Sequence, residues 1–202
     1  MKNVRAEMFN SKAGNTKNKP DRIIKSMELK PGENIADIGS GGGYYCYRFA
    51  EIVGKDGKVY AIDTNKEFLD YIAETAKKKN LNNIKPIFAT EEKEHLRNLK
   101  GGFAPYESKL PEKGLDAIFM RNVTHHLPNR VQYFKNLKVF LKPQGRVFII
   151  EYKKGKGLFF SGMFGHNVEK EIIIKEMTKA GYKLIKEFNF LPKQHFTVYS
   201  QI

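Results

Sequence analysis

A single cysteine, Cys46, stands among 202 residues, so no internal disulfide can form and a cysteine-only zinc site is excluded. That scarcity fits a reducing cytoplasm. Long apolar runs are missing too. The longest are of the kind Val147-Phe148-Ile149-Ile150, far short of a membrane span. Met1-Lys2-Asn3-Val4-Arg5 is polar with no apolar stretch behind it, so no signal peptide is expected. The five histidines, His95, His125, His126, His166 and His195, form no i, i+4 pair around a glutamate, and no metal site is expected. Internal repeats and low-complexity linkers are absent. Acidic residues are in deficit, giving a net charge of +14. A polyanionic partner such as nucleic acid would explain that excess. So would lysines that are simply solvated, because the positives are scattered and the longest run, Lys77-Lys78-Lys79, closes a predicted helix where cations suit the dipole.

What is present is enough for a globular chain: 41% hydrophobic and 12% aromatic residues over a length near that of one domain. Residues 1–202 are read as a single domain, with 1–20 as a polar arm or lid holding a short helix near 6–9. Apolar periodicity and turn residues then predict helices at 21–27, 44–53, 66–79, 130–140 and 168–180. Strands are predicted at 34–38, 57–63, 84–89, 115–120 and 146–152, with a break at Lys142-Pro143-Gln144-Gly145 before the last. Pro86 suits the third strand to an edge or an end. Two β-rich runs, 183–191 and 195–199, suggest a closing antiparallel hairpin. Strands alternating with helices imply an α/β, Rossmann-like doubly wound sheet of about seven strands, mostly parallel. Ligands of such sheets bind outside the carboxyl ends of the strands.

The first strand runs straight into Gly39-Ser40-Gly41-Gly42-Gly43. Glycines there allow unusual backbone angles and close approach, and the following helix offers its N-terminus to a ligand. An ordinary βα turn seldom needs four glycines in five positions. A phosphate-binding loop would end in Gly-Lys-Ser/Thr, but Tyr44-Tyr45 follow. A dinucleotide loop starting at Gly39 would need glycine where Tyr44 stands. The register that fits is acid-x-Gly-x-Gly-x-Gly, placed on Asp37, Gly39, Gly41 and Gly43.

This stretch resembles motif I of class I S-adenosylmethionine-dependent methyltransferases, in particular the ubiquinone/menaquinone-biosynthesis-like, or type 11, subgroup. Leu29-Lys30-Pro31-Gly32-Glu33 is similar to that subgroup as well, and the likeness runs in element order from about Pro20 to Ile202. The resemblance implies S-adenosylmethionine as cofactor. It also implies that Asp37 holds the amino group of its methionine part. Asp63, which ends the second strand 24 residues after Gly39, can accept hydrogen bonds from both ribose hydroxyls. Its bland alternative is a helix N-cap, which Thr64 or Asn65 could supply equally well. Thr90 and Glu91 stand where the family contacts adenine, although many relatives carry Asp there. Arg121 and Asn122 would lie along the sulfonium end.

Residues 119–127, Phe-Met-Arg-Asn-Val-Thr-His-His-Leu, resemble the family's segment after the fourth strand. His125 or His126 could act as a general base, at most one of them facing the pocket; otherwise one packs and the other is solvated. The absence of Asn/Asp-Pro-Pro-Tyr argues against amino-methyltransferases that use it, and the lone cysteine argues against arsenite as acceptor. Segments 92–111 and 153–166, glycine beside aromatic, could shape an acceptor pocket, with Met8, Phe9 and Lys19 of the arm as a lid. The expected acceptor is a small molecule ahead of a protein or RNA. Two readings compete: an NAD-dependent oxidoreductase on a similar sheet, and a non-catalytic binder of S-adenosylmethionine.

Overall fold

The computed structural model describes residues 3–89, 110–153 and 167–202. Seven strands form one sheet: β1 (Asn34–Ile38), β2 (Lys58–Asp63), β3 (Ile84–Phe88), β4 (Leu115–Arg121), β5 (Leu141–Tyr152), β6 (Tyr182–Phe188) and β7 (Gln194–Gln201). Their spatial order is β3-β2-β1-β4-β5-β7-β6. β1 to β5 pair in parallel, and β7 alone runs antiparallel to its two neighbours. A dinucleotide-binding sheet carries six parallel strands in the order 3-2-1-4-5-6. The antiparallel β7 slotted between β5 and β6 is a different ending. β3 is an edge strand, which is where its Pro86 is tolerated.

Strand alternation sorts side chains onto two faces. Ile35, Val59, Ala61, Ala117, Phe119, Phe148 and Ile150 pack with Ile23, Phe49 and Ile72. These come from α2 (Pro20–Met27), α3 (Tyr44–Val53) and α4 (Lys66–Lys78). Ala36, Ile38, Ile62, Ile118, Met120, Val147 and Ile149 pack with Phe134 and Met177 on the other face. Those come from α5 (Arg130–Leu137) and α6 (Lys170–Lys179). The same parity puts Asp37, Asp63 and Arg121 on the α3 face and Glu151 on the α5–α6 face.

The sheet matches the expectation from sequence, and the departures have local causes. The arm holds an eleven-residue helix, α1 (Val4–Gly14), capped by the Asn3 side chain, which accepts from the Ala6 amide. A helix only near 6–9 underestimates it, because its support is tertiary: α1 packs on α3 through buried Ala6. The helix expected at 130–140 stops at Leu137, and β5 begins at Leu141. The predicted break at 142–145 therefore lies inside β5, as a register shift between the Leu115–Leu141 and Ala117–Arg146 pairs. The helix expected at 168–180 is shorter at both ends, while β7 extends past the predicted 195–199 to Gln194 and Gln201. Among the described residues, no helix is long and apolar enough to cross a membrane.

Candidate functional site

The carboxyl ends of β1, β2 and β4 meet around the glycine run. Gly39, Gly41 and Gly43 all have positive φ, at 76°, 53° and 84°. The loop is tied to β2: Gly39 and Ser40 amides donate to the Ile62 carbonyl, and the Gly41 amide donates to Asp63 Oδ2 at 2.8 Å. A Cβ on Gly39 would stand 2.8 Å from the Val123 side chain. A Cβ on Gly42 would stand 2.3 Å from the Ala6 carbonyl oxygen. The glycines therefore admit protein as well as ligand: Gly42 lets α1 lie on the loop. Asn10 of α1 completes that seam. Its Nδ2 donates to the Gly42 carbonyl at 2.8 Å, and its Oδ1 accepts the Tyr44 amide at 3.0 Å. α3 has no side-chain cap of its own, since Gly43 is its N-cap residue.

Asp37 is buried beside Cys46, whose thiol donates to Oδ2 at 3.0 Å. Burial pushes this carboxyl up to about 7; the Cys46 bond and Arg121 pull it back and Asp63 pushes it further. Burial likewise raises Asp63, against backbone bonds from Asn65, Gly41 and Thr64. Asp63 is not the cap of α4. Asn65 is, its side chain accepting the Glu67 and Phe68 amides. A carboxylate has about four acceptor sites, so Asp63 keeps capacity for a ligand hydroxyl beyond its backbone bonds. Thr64 is exposed next to it.

Arg121 lies with its guanidinium 5.4 Å from the Tyr45 ring centroid. Among the described residues its Nε, the Tyr45 hydroxyl and the Ser40 hydroxyl are buried without a hydrogen-bond partner. Orphaned polar groups beside two raised carboxylates are what a site for a polar, cationic ligand requires, because buried groups otherwise find partners. S-adenosylmethionine, with an ammonium, a ribose and a sulfonium, fits that set.

Asn122 follows in the left-handed region at φ 55°. Its amide donates to the Ile150 carbonyl at 2.8 Å and its Oδ1 accepts Gln194 Nε2 at 2.6 Å. This turn leads into the short helix Thr124–His126. The His125 side chain is 6% exposed and meets Glu151, whereas His126 is an exposed residue stacked on it at 4.1 Å. Glu151, Gln194, Asn10 and Tyr45 were not anticipated as site residues. Glu151 carries a signal: it is a carboxylate one residue from the end of an apolar strand, as Asp37 is, while Asp63 ends its own. Thr90 and Glu91, the expected adenine contacts, lie outside the described residues, as do His95, His166 and most of the two segments expected to shape the acceptor pocket.

The family model described as a methyltransferase domain matches residues 29–189. A protein-L-isoaspartate O-methyltransferase from Methanococcus aeolicus is 38% identical over 85 residues, 42% of this chain and 37% of that protein. A ubiquinone/menaquinone biosynthesis C-methyltransferase from Francisella tularensis is 26% identical over 134 residues, 66% of this chain and 48% of its own length. The chain thus spans about half or less of these two relatives. In fold it is similar to a SAM-dependent methyltransferase from Aquifex aeolicus, with TM-score 0.77, 22% identity, and coverage of 98% of this chain and 97% of that one.

Proposed function

The chain belongs to the class I S-adenosylmethionine-dependent methyltransferase family, and from that premise we propose that it transfers a methyl group from S-adenosylmethionine to a small-molecule acceptor. The observation that carries this reading is the cluster of Asp37, Asp63 and the orphaned Ser40, Tyr45 and Arg121 groups around the glycine loop. Asp37 receives the ammonium, and Asp63 with Thr64 receives the ribose. Gly39, Gly41 and Gly43 keep the loop backbone close to the ligand. Arg121 and Asn122 border the reacting end; the adenine contacts that the resemblance implies, Thr90 and Glu91, lie outside the described residues. The arm, through α1, closes over the loop as a lid. Cys46, buried and reduced, suits action in the cytoplasm.

When bound, the cofactor supplies an electrophilic methyl group on sulfur. The chain's own residues contribute alignment and exclusion of water, which for a reactive donor provides most of the acceleration. A relative bears the name of a protein O-methyltransferase. A protein or RNA acceptor is accordingly the second reading, favoured for RNA by the net charge of +14.

Calorimetry with S-adenosylhomocysteine, S-adenosylmethionine and NAD tests the reading. Both adenosyl amino acids are expected to bind and NAD is not; the reverse would overturn the donor assignment. Asp63→Ala should weaken adenosyl binding in a folded variant, and unchanged affinity would remove Asp63 from the site.

A further inference from the structure

Arg121 closes β4 on the α3 face, two residues beyond Phe119, which lies opposite Asp37 in the sheet. The first turn of α3 supplies the floor beneath it. The Tyr45 ring packs on Phe119 at 4.9 Å and lies 5.4 Å from the Arg121 guanidinium. Arginine carries five N–H donors in a fixed fork and does not lose its charge. Among the described residues Arg121 makes no hydrogen bond and no ion pair, and its Nε is buried. The Tyr45 hydroxyl is buried and unpartnered as well. Burial pushes that hydroxyl up, Arg121 opposes the shift and Asp37 adds to it, so both charges lie within electrostatic reach of it. Arg48, on the next turn of α3, is committed elsewhere: it donates to the Tyr44 hydroxyl at 3.2 Å and to Asp21 at 2.8 Å.

Asp37 is in the complementary condition. It accepts the Cys46 thiol, and among the described residues no cation pairs with it. Arg121 and Asp37 feel each other's charge without touching. Two opposite charges on one face, close but unjoined, match the ends of a zwitterion. An α-amino acid carries its ammonium and its carboxylate on one carbon, so a single bound group satisfies both. Charge sign then decides which part of the ligand the guanidinium faces. In S-adenosylmethionine the ammonium and the sulfonium are cations that a guanidinium repels, and the carboxylate is the one anion.

We propose that the Arg121 side chain receives the carboxylate of the bound adenosyl amino acid, with the Tyr45 hydroxyl as a second donor, and that this pair makes the site selective for ligands whose amino-acid end is intact. The proposal rests on reading the site as one for S-adenosylmethionine. It assigns the side chain of Arg121 to the methionine end, while the backbone of the same residue borders the reacting end. A ligand without the carboxylate leaves a half-buried guanidinium and a buried hydroxyl unpaired, which is the strongest form of rejection a polar site has.

Titration calorimetry on the full chain compares S-adenosylhomocysteine with its decarboxylated analogue, which keeps the adenosine, the thioether and the amine. The wild type should bind S-adenosylhomocysteine about 10- to 100-fold more tightly, the range of a hydrogen bond between charged groups. Arg121→Gln should weaken S-adenosylhomocysteine by about 10- to 100-fold. The decarboxylated analogue should stay within about threefold or improve, because its amine no longer faces a guanidinium. Arg121→Lys should recover part of the loss, since it keeps the charge and gives up the fork. Tyr45→Phe keeps the ring as floor and should weaken S-adenosylhomocysteine alone, by about three- to tenfold. A structural role for either residue would weaken both ligands together, and equal losses overturn the proposal. So does a wild type indifferent to the carboxylate, or an Arg121→Gln that binds S-adenosylhomocysteine unchanged. An Arg121→Gln that gains affinity for S-adenosylmethionine over S-adenosylhomocysteine would put the guanidinium at the sulfonium and overturn it too. If Arg121→Gln does not fold in a thermal melt, the wild-type comparison and Tyr45→Phe decide. A wild type that binds neither ligand sinks the S-adenosylmethionine reading itself, and this proposal with it.

Discussion

Asp37 and Glu151 sit near the ends of strands in the same sheet, and both are buried, yet they stand in opposite conditions. Among the described residues Asp37 has one side-chain donor, a thiol, and is pushed up to about 7. Glu151 has a hydroxyl, an imidazole and an amide, and lies below its ordinary value. On the α3 face, among the described residues, Ser40, Tyr45 and Arg121 near the loop each bury an atom without a partner. On the α5–α6 face Glu151 accepts three hydrogen bonds from the fold. A carboxylate that must meet a cationic ligand is kept short of protein partners. One that holds neighbouring side chains in place is given several in advance.

The largest expected effect breaks the well-supplied side. Glu151→Ala leaves the Thr124 hydroxyl and the His125 ring facing a cavity, and removing one partner from a buried ionic cluster costs about 3 kcal/mol or more. For a chain of this size, each kcal/mol moves Tm by about 2–4 °C, so a drop of at least about 6 °C is expected in a thermal melt. A drop below about 2 °C would mean that Glu151 is not held as ionised as its bonds imply.

The same kind of change on the other side should go the opposite way. Asp37→Asn removes a charge that burial disfavours, and at pH 8 it should raise stability by about 1–3 kcal/mol while weakening adenosyl-ligand binding by about tenfold or more. The sign follows from proton binding. The folded Asp37 keeps its proton up to about 7 while the unfolded chain releases it near 3.8, the ordinary value for aspartate. Between those values the native state binds more protons, so stability falls as pH rises through that window and is level above it. Melts of wild type and Asp37→Asn between pH 4 and 8 should diverge in favour of the variant as pH rises. Parallel curves would show that Asp37 titrates normally. Saturating S-adenosylhomocysteine, by placing an ammonium beside Asp37, should narrow the gap.

Much of the donor side was legible in sequence because its signals are local. Asp37 and Asp63 stand at the ends of predicted strands and the glycines follow the first directly, and strand parity places the two acids on one face once the sheet order is known. The Glu151 side is assembled from residues 27 apart, as Thr124 and Glu151 are, and 72 apart, as Asn122 and Gln194 are. Only the pairing of β4 with β5 and of β5 with β7 joins them. His125 was separable from His126 only by burial, which depends on the turn at Asn122. α1 was underestimated for the same reason: its length is set by packing on α3, and its own sequence is weakly amphipathic. The turn-forming Pro143 and Gly145 pointed to a break, whereas strand pairing on either side absorbed them as a register shift.

The smallest effect concerns the one place where the under-supplied side is helped. Asn10 reaches from α1 to the Gly42 carbonyl, which also accepts the Tyr47 hydroxyl, and to the Tyr44 amide, which α3 cannot cap with Gly43. Losing a side-chain cap costs about 1 kcal/mol, so Asn10→Ala should lower Tm by about 2–4 °C. Asn10→Asp should restore only the acceptor half of the pair, since a carboxylate can take the Tyr44 amide but cannot donate to Gly42. If α1 is the lid, S-adenosylhomocysteine should leave Asn10→Ala several-fold faster than it leaves the wild type, read by stopped-flow displacement. Equal dissociation rates with a lowered Tm would make α1 a structural cap on the loop and no lid. Arm and loop would then be one fixed unit, and ligand entry would have to use another side of the site.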